Sequence, residues 1–333
     1  MNDKKFKPNV HIILLAIIIF IIIFCAVRLY IWNKGTDSEY DPNAVTTEFD
    51  TEPLDVIFQL LPDKLEGHED DGVNTVLCLG NDVLTDGRDD HTSFSELVAA
   101  DSNSVVYNGG FAGSTLAAKS AEFIEACPDD AFTFYYVADA ISKQDFSLLK
   151  DYADKAEGND NTYADTISTL ETLDMSTIDT LVIFYDANDM LQYRAVIDPE
   201  NPTSLSTFCG ALSAGISEIQ EAYPYIRIVV MSPYFGFSRN SEGYYSSLDT
   251  EDFGNGNLPN YLLNMIDTTQ KYGVSIIDNY YGTITETNSG DYLTDNIHLN
   301  SDGREVLAKR LIDTIGMIAG TDDAESSTEE TAK

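Results

Sequence analysis

One turn in the sequence has the position of a nucleophile but not its residue type. Residues 79–87 read LGNDVLTDG and follow the apolar run 75–79, which is typical of a buried strand. Hydrolytic enzymes commonly place a nucleophile in the turn that follows such a strand. Here the turn contains no serine or cysteine, and its polar side chains are those of Asn81, Asp82, Thr85 and Asp86. The sequence therefore poses a choice between an active site with an unusual nucleophile and the shell of one.

Three further loops contain side chains suited to chemistry, and each comes after a predicted strand. Residues 108–114 read NGGFAGS, residues 186–189 read DAND, and residues 295–300 read DNIHLN. An aspartate three residues before a histidine can accept a hydrogen bond from the imidazole Nδ1–H, which leaves Nε2 to act as a base. Asp295 and His298 have this spacing. The alternative is that Asp295 caps the next helix and His298 is an incidental surface residue.

The elements that must position these loops alternate between short apolar strands and helices. The strands are predicted at 75–79, 104–107, 180–185, 226–231 and 274–277, and the helices at 92–100, 114–126, 205–222, 258–271 and 301–318. Consecutive apolar residues indicate strands that are buried on both faces of a parallel sheet. We therefore expect a three-layer, doubly wound α/β fold of the flavodoxin-like kind. Right-handed crossovers would bring the four loops to one edge of the sheet.

The predicted domain covers residues 72–318, and the segments around it differ in composition. Residues 129–176 are too long for a simple connection and are predicted to be an inserted cap. Residues 33–71 are rich in Asp, Glu, Pro and Thr, which indicates an acidic stalk. Residues 319–333 are polar and acidic without an apolar period, which predicts a disordered tail.

The N-terminal region has the pattern of a membrane anchor. Residues 1–10 contain Lys4, Lys5 and Lys7, and a nearly continuous apolar stretch occupies 11–32. A helix over that stretch would rise about 33 Å, enough to cross the hydrocarbon core. No small-x-small cleavage site follows, so an uncleaved anchor is favoured over a removed signal peptide. The preceding lysines predict a cytoplasmic N-terminus and a single-pass protein of the cell membrane whose C-terminal domain is extracellular.

Charge and cysteine content exclude some functions. The formal net charge of the 333-residue chain is −37, and such a field repels nucleic acid and anionic lipid surfaces. Cys78, Cys127 and Cys209 lie beyond the predicted span, show no metal-ligand spacing and do not indicate a disulfide framework. The sequence predicts no cofactor and no metal site.

Taken in order, the loops resemble the motif blocks of the SGNH (GDSL-type) hydrolases over about residues 72–318. The N-x-x-x-x-G block matches Asn108 to Gly113, and a G-x-N-D-like turn matches 186–189. The D-x-x-H block matches Asp295 and His298. Each block alone is weak, but together and in the right order they form a specific signal.

The resemblance implies roles for these residues. Gly113 would supply an oxyanion-hole N–H and Asn188 a second donor, and the loss of one such donor typically costs about 10²–10³ in rate. His298 would be the base, oriented by Asp295. Taken individually, Asn188 could equally be an Asx-turn residue and Gly113 a turn glycine. The pattern departs from the family at Asp186, where a glycine is usual.

The larger departure is in the first block, G-D-S in the family. Aligned without a gap, Gly80 matches the glycine, Asn81 replaces the aspartate and Asp82 occupies the serine position. Serine is activated by losing a proton to the base as it attacks. Asp82 has no proton to lose, so His298 has nothing to activate there.

Several outcomes remain open for this site. The Asp82 carboxylate could attack an ester and form a mixed anhydride, it could activate water together with His298, or the hydroxyl of Thr85 or Ser114 could substitute. An Asp82–His298 ion pair would instead raise the imidazole pKa and favour binding over base catalysis. The first hypothesis is thus a membrane-anchored esterase or acyl transferase for O-acylated cell-envelope glycans. The second is a non-catalytic ectodomain that binds an envelope glycan or a protein partner.

Overall fold

The computed structural model describes most of the predicted domain. The described residues are 19, 21, 23–28, 52–65, 68, 71–159, 161–239 and 243–317. Within these ranges, no helix combines the length and apolar character needed to cross a membrane. Most of the predicted span at 11–32 and the whole predicted tail at 319–333 lie outside the described residues.

A five-stranded parallel sheet forms the centre of the domain, as the sequence predicts. Its strand order is β2-β1-β3-β4-β7. Strands β5 and β6 form a separate antiparallel pair. The strands are β1 (Thr75–Gly80), β2 (Val105–Gly110), β3 (Thr180–Phe184), β4 (Arg227–Met231), β5 (Phe237–Arg239), β6 (Tyr245–Ser247) and β7 (Ser275–Ile277). Because the chain passes from β1 to β2 on one side and then to β3 on the other, the sheet has a switch point beside β1, where such folds bind ligands.

Ten α-helices surround the sheet in the described part of the chain. They are α1 (Asp82–Thr85), α2 (Phe94–Ser102), α3 (Phe134–Lys143), α4 (Ser147–Tyr152), α5 (Tyr163–Thr172), α6 (Asn188–Leu191), α7 (Phe208–Ala222), α8 (Leu258–Tyr272), α9 (Ser289–Tyr292) and α10 (Ser301–Ile315). Short 3₁₀ helices occur at Pro62–Leu65, Pro128–Phe132, Ala153–Lys155 and Met175–Thr177.

The two faces of the sheet belong to two separate hydrophobic cores. Leu77 and Leu79 of β1 share one core with side chains of α3, α5, α7 and α8. Val76 and Cys78 share the other with side chains of α2 and α10. Adjacent residues of a strand point to opposite faces, so both must be apolar when both faces are covered. This arrangement is the three-layer α/β architecture.

The segment predicted as an inserted cap forms part of one helical layer. Residues 129–176 contain α3, α4 and α5, and their apolar side chains join the core that includes β1 and β3. Phe132 and Phe134 are completely buried there. These two aromatic side chains therefore belong to the hydrophobic core on this face of the sheet.

The helix predicted at 114–126 is wrong, because this segment is irregular. Its backbone N–H groups donate to carboxylates that lie outside the segment. The N–H groups of Leu116 and Ala117 each donate to Asp189 at 2.8 Å. Two further N–H groups of the segment donate to Asp130. These buried acceptors take the place of helical carbonyls and satisfy the backbone without a helix.

The domain also begins earlier than the sequence predicts. Within the predicted stalk 33–71, Val56 forms an antiparallel bridge with Ile276 of β7, and its N–H donates to the Ile276 carbonyl at 3.0 Å. The Phe58 N–H donates to Ser275 Oγ at 3.0 Å. This short strap covers the β7 edge of the sheet, which would otherwise expose unpaired backbone groups.

Candidate active site

The end of β1 is built so that two strands approach closely. A Cβ atom on Gly80 would lie 1.9 Å from the Phe184 carbonyl oxygen of β3, so only glycine fits. Asn81, the next residue, is completely buried. Its side-chain amide donates to Asp186 Oδ1 at 2.8 Å and to the Ser114 carbonyl at 3.1 Å. Asn81 therefore joins three of the predicted site loops, a positioning role that the sequence did not reveal.

Asp82 follows at the first position of α1 and contacts the residue predicted as an oxyanion donor. The Gly113 N–H donates to Asp82 Oδ2 at 2.9 Å. Gly113 has a φ of +70°, a conformation that glycine adopts without strain. The N–H group predicted to stabilise a developing oxyanion is thus paired with a carboxylate of the protein itself.

Asn188 lies close to this pair but its amide is directed to the backbone. Its Nδ2 donates to the carbonyl of Gly113 at 3.3 Å and to that of Ser114 at 3.5 Å, while its N–H donates to Asp186 Oδ1 at 2.8 Å. The structure therefore brings Asn188 into the site, but in this state its amide ties the 108–114 loop to α6.

Asp295 and His298 form the hydrogen-bonded pair that their spacing predicts. His298 Nδ1 lies 2.7 Å from Asp295 Oδ2. Asp295 Oδ1 accepts the N–H groups of Ile297 at 2.9 Å and His298 at 2.8 Å. Partial burial acts to raise the pKa of Asp295, but these hydrogen bonds hold it below its ordinary value. The carboxylate is therefore ionised and fixes the orientation of the ring.

The loop that carries His298 is held at both ends. Asn300 caps α10, since its Oδ1 accepts the Gly303 N–H at 2.9 Å. Arg304, in the first turn of the same helix, donates to the Leu299 carbonyl at 2.7 Å. The capping role considered for Asp295 therefore belongs to Asn300, and the carboxylate of Asp295 serves the imidazole.

Asp186 is a further acidic residue at the site, outside the predicted set. It is 1% exposed, and its Oδ1 accepts hydrogen bonds from Asn81 and Asn188. Burial, and then the negative charge of Asp82, raises the pKa of Asp186 well above its ordinary value. Its Oδ2 has no hydrogen-bond partner within the described residues.

One ligand atom from each of Asp82, Asp186 and His298 lies within 4.8 Å of the other two. Because Asp295 binds Nδ1 of His298, Nε2 is the nitrogen left to face the carboxylates. Burial acts to lower the pKa of His298, but the hydrogen bond to Asp295 and the charges of all three aspartates raise it above its ordinary value. The imidazole is therefore surrounded by negative charge.

The two hydroxyl groups considered as substitute nucleophiles are not connected to the base. Thr85 and Ser114 are both buried, and within the described residues neither side chain is hydrogen-bonded to His298. A base must be within hydrogen-bond reach of the proton that it removes. The geometry therefore does not support either hydroxyl as the nucleophile.

A cavity of about 310 Å³ lies next to the site. Gly113 and Ser114 form part of its wall, so it adjoins the Asp82 carboxylate through the 108–114 loop. Its lining is mainly polar and includes Thr115, Lys119, Asp129, Gln192 and Arg194.

Comparison with known proteins identifies the fold. No protein-family model and no curated protein matches the chain. A solved crystal structure of a protein without a stated function is 20% identical, with a TM-score of 0.53 over 74% of this chain and 98% of that one. Looser similarities are to "a possible lipase" from Chitinophaga pinensis (13% identity, TM-score 0.47, 73% and 99% covered) and to Est24, a carbohydrate acetylesterase from Sinorhizobium meliloti (12%, 0.44, 73% and 98%).

The chain's fold resembles that of the SGNH (GDSL-type) hydrolases, and its four strand-end loops assemble at the edge of its parallel sheet. The motif alignment with these hydrolases puts Asp82 at the position of their nucleophilic serine.

Proposed function

We propose that this protein hydrolyses esters of O-acylated carbohydrate by direct attack of water, without an acyl-enzyme. The observation that carries the proposal is the Asp295–His298 pair, whose imidazole faces Asp82 and Asp186. At a pH above the raised pKa of His298, where the imidazole is neutral, a water molecule between the imidazole and the Asp82 carboxylate would have an acceptor for its proton and a second group to orient it. Positioned bases of this kind contribute about 10²–10⁴ in rate.

The proposed substrate is an uncharged acylated glycan of the cell envelope. The polar cavity beside Gly113 supports a hydroxylated ligand. The net charge of −37 disfavours polyanionic substrates. The location rests on the predicted anchor at residues 11–32, which would place the domain outside the cell.

A second candidate function is binding of a glycan or protein partner without catalysis. The observation in its favour is the hydrogen bond from Gly113 to Asp82, because a donor held by a protein carboxylate does not stabilise a developing oxyanion. Under this second hypothesis, Asp82 occupies the Gly113 donor, and the ligand binds only in the cavity.

Acetate release distinguishes the two functions. The full-length chain in detergent would be incubated with an acetylated oligosaccharide, beside His298→Ala and a control, Asp302→Asn, which removes an exposed carboxylate from the same region. The hydrolase predicts release by the wild type and the control, and a loss of about 10²–10⁴ in His298→Ala. Binding of the oligosaccharide without any release would establish the second candidate instead.

A further inference from the structure

We propose that Asp82, Asp186 and His298 bind a divalent transition-metal cation such as Zn²⁺ or Mn²⁺ at the edge of the sheet. The three residues come from the ends of β1 and β3 and from the loop before α10, so they meet only in the folded chain. The proposal concerns binding and does not depend on ester hydrolysis. When a cation is bound, His298 Nε2 is a ligand and does not accept a proton from water, so the metal-bound form is distinct from the form that the proposed hydrolysis uses.

The separation of the ligand atoms is close to what a cation requires. The three atoms lie within 4.8 Å of one another. Ligands about 2.0 Å from a tetrahedral metal are separated by about 3.3 Å, so the side chains must close by about 1.5 Å at most. Asp82 and His298 are only partly buried, and small side-chain rotations can supply this movement.

The strongest indication is the unsatisfied oxygen of Asp186. The residue is 1% exposed, and its Oδ1 already accepts two hydrogen bonds, from the Asn81 amide and the Asn188 N–H. Its Oδ2 has no partner in the described part of the chain. A buried carboxylate oxygen without a partner is costly, and an ion or water is the usual reason for one. Oδ2 is therefore the atom available to a cation.

The charge and orientation of the neighbours also suit a cation. Asp295 adds a third carboxylate on the other side of the imidazole, where its Oδ2 lies 2.7 Å from His298 Nδ1. Metal-binding histidines commonly have such a carboxylate on the second nitrogen, which fixes the ring and strengthens the ligand. Asp82 is oriented in turn by the Gly113 N–H at 2.9 Å. A cation would offset the negative charge that these three carboxylates place around one imidazole.

Two departures from the family pattern produce this set of donors. Aspartate replaces the serine at position 82 and the glycine at position 186, and the two side chains lie side by side. Two carboxylates and one imidazole suit Zn²⁺ or Mn²⁺, whereas Ca²⁺ and Mg²⁺ prefer oxygen ligands alone. Three protein ligands would leave a coordination position open for water or substrate.

Calorimetric titration of the full-length chain with Zn²⁺, after chelator treatment and buffer exchange, tests the proposal. We expect one site whose affinity falls at least about 100-fold in Asp186→Asn and in His298→Ala, since even an outer-shell partner is worth about 10–100-fold. Asp295→Asn should weaken binding by about 10–100-fold. Asp302→Asn, which removes an exposed carboxylate, should bind as the wild type does.

Electron paramagnetic resonance of bound Mn²⁺ provides a second measurement on the same proteins. Circular dichroism checks that each variant is folded. If Asp186→Asn does not fold, the metal affinity of Asp82→Asn, which changes a partly exposed residue, serves as the test instead. The absence of a site for both cations in the wild type would overturn the proposal. Undiminished affinity in the folded Asp82, Asp186 and His298 variants would do the same, because binding would then lie elsewhere. A site that binds metal while the protein releases no acetate would leave this proposal intact and reject the proposed hydrolysis.

Discussion

Replacing Asp82 with serine should convert this site to covalent ester chemistry. The change supplies a hydroxyl close to His298, and it removes the carboxylate that accepts the Gly113 N–H at 2.9 Å. The released donor is worth about 10²–10³ in rate, and base assistance by His298 about 10²–10⁴. These contributions act on one step and are not additive. We therefore expect Asp82→Ser to hydrolyse p-nitrophenyl acetate about 10²–10⁴ faster than Asp82→Ser/His298→Ala.

The assay is hydrolysis together with labelling by a fluorophosphonate, which reacts with activated serines. Asp82→Ser should be labelled stoichiometrically, and the wild type should not. Asp82→Asn is the matched control, because it removes the same charge without supplying a nucleophile, and it should remain unlabelled. Asn188→Ala in the serine background should cost less than about 10², since the Asn188 amide donates to backbone carbonyls. A folded Asp82→Ser protein that is neither labelled nor faster than Asp82→Asn would refute this reasoning.

Three other predictions concern stability and topology. Gly80→Ala should lower the free energy of unfolding by about 1–3 kcal/mol or more in thermal melts, because its Cβ would lie 1.9 Å from the Phe184 carbonyl oxygen; unchanged stability would contradict the close strand contact. Burial raises the pKa of Asp189 to about 6, so folding favours its protonated form. The free energy of unfolding of the wild type, relative to that of Asp189→Asn, should therefore fall as the pH rises from about 4 to about 6. A difference in free energy that stays constant over this range would contradict the prediction. Protease treatment of intact cells should remove the ectodomain and spare the N-terminus if residues 11–32 form an anchor, whereas a mature protein that begins between about residues 25 and 45 would exclude it.

The parallel sheet could be predicted because its physical signal is local. β1, β3 and β4 are covered on both faces, so the residues in the middle of each strand are consecutively apolar, and the predicted bounds differ from the observed ones by a residue or so. The helix predicted at 114–126 does not form, because the hydrogen-bond partners of this segment are not local in the sequence. Its backbone partners include Asp189, a carboxylate far along the chain that no local pattern indicates.

The candidate site was only partly visible in the sequence. The Asp295–His298 spacing lies within one loop and could be read directly, and the structure places the two side chains in contact. The position of Asp82 beside Gly113 followed from the motif order. Asp186 was noted only as a departure from the usual glycine, because its relation to Asp82 depends on the pairing of β1 with β3. The early start of the domain was also hidden, since its strap lies in an acidic stretch.

Single-turnover hydrolysis of an acetyl ester in H₂¹⁸O measures whether water attacks the ester directly. If water attacks the ester without a covalent intermediate, the heavy oxygen enters the released acetate and none enters the protein. Mass spectrometry of the peptide that contains Asp82 reports the second quantity. Direct attack of water predicts labelled acetate and an unlabelled peptide. Heavy oxygen in Asp82 would show that the carboxylate had formed an anhydride, and a complete absence of acetate release would show that the site does not hydrolyse esters; either result would contradict the account.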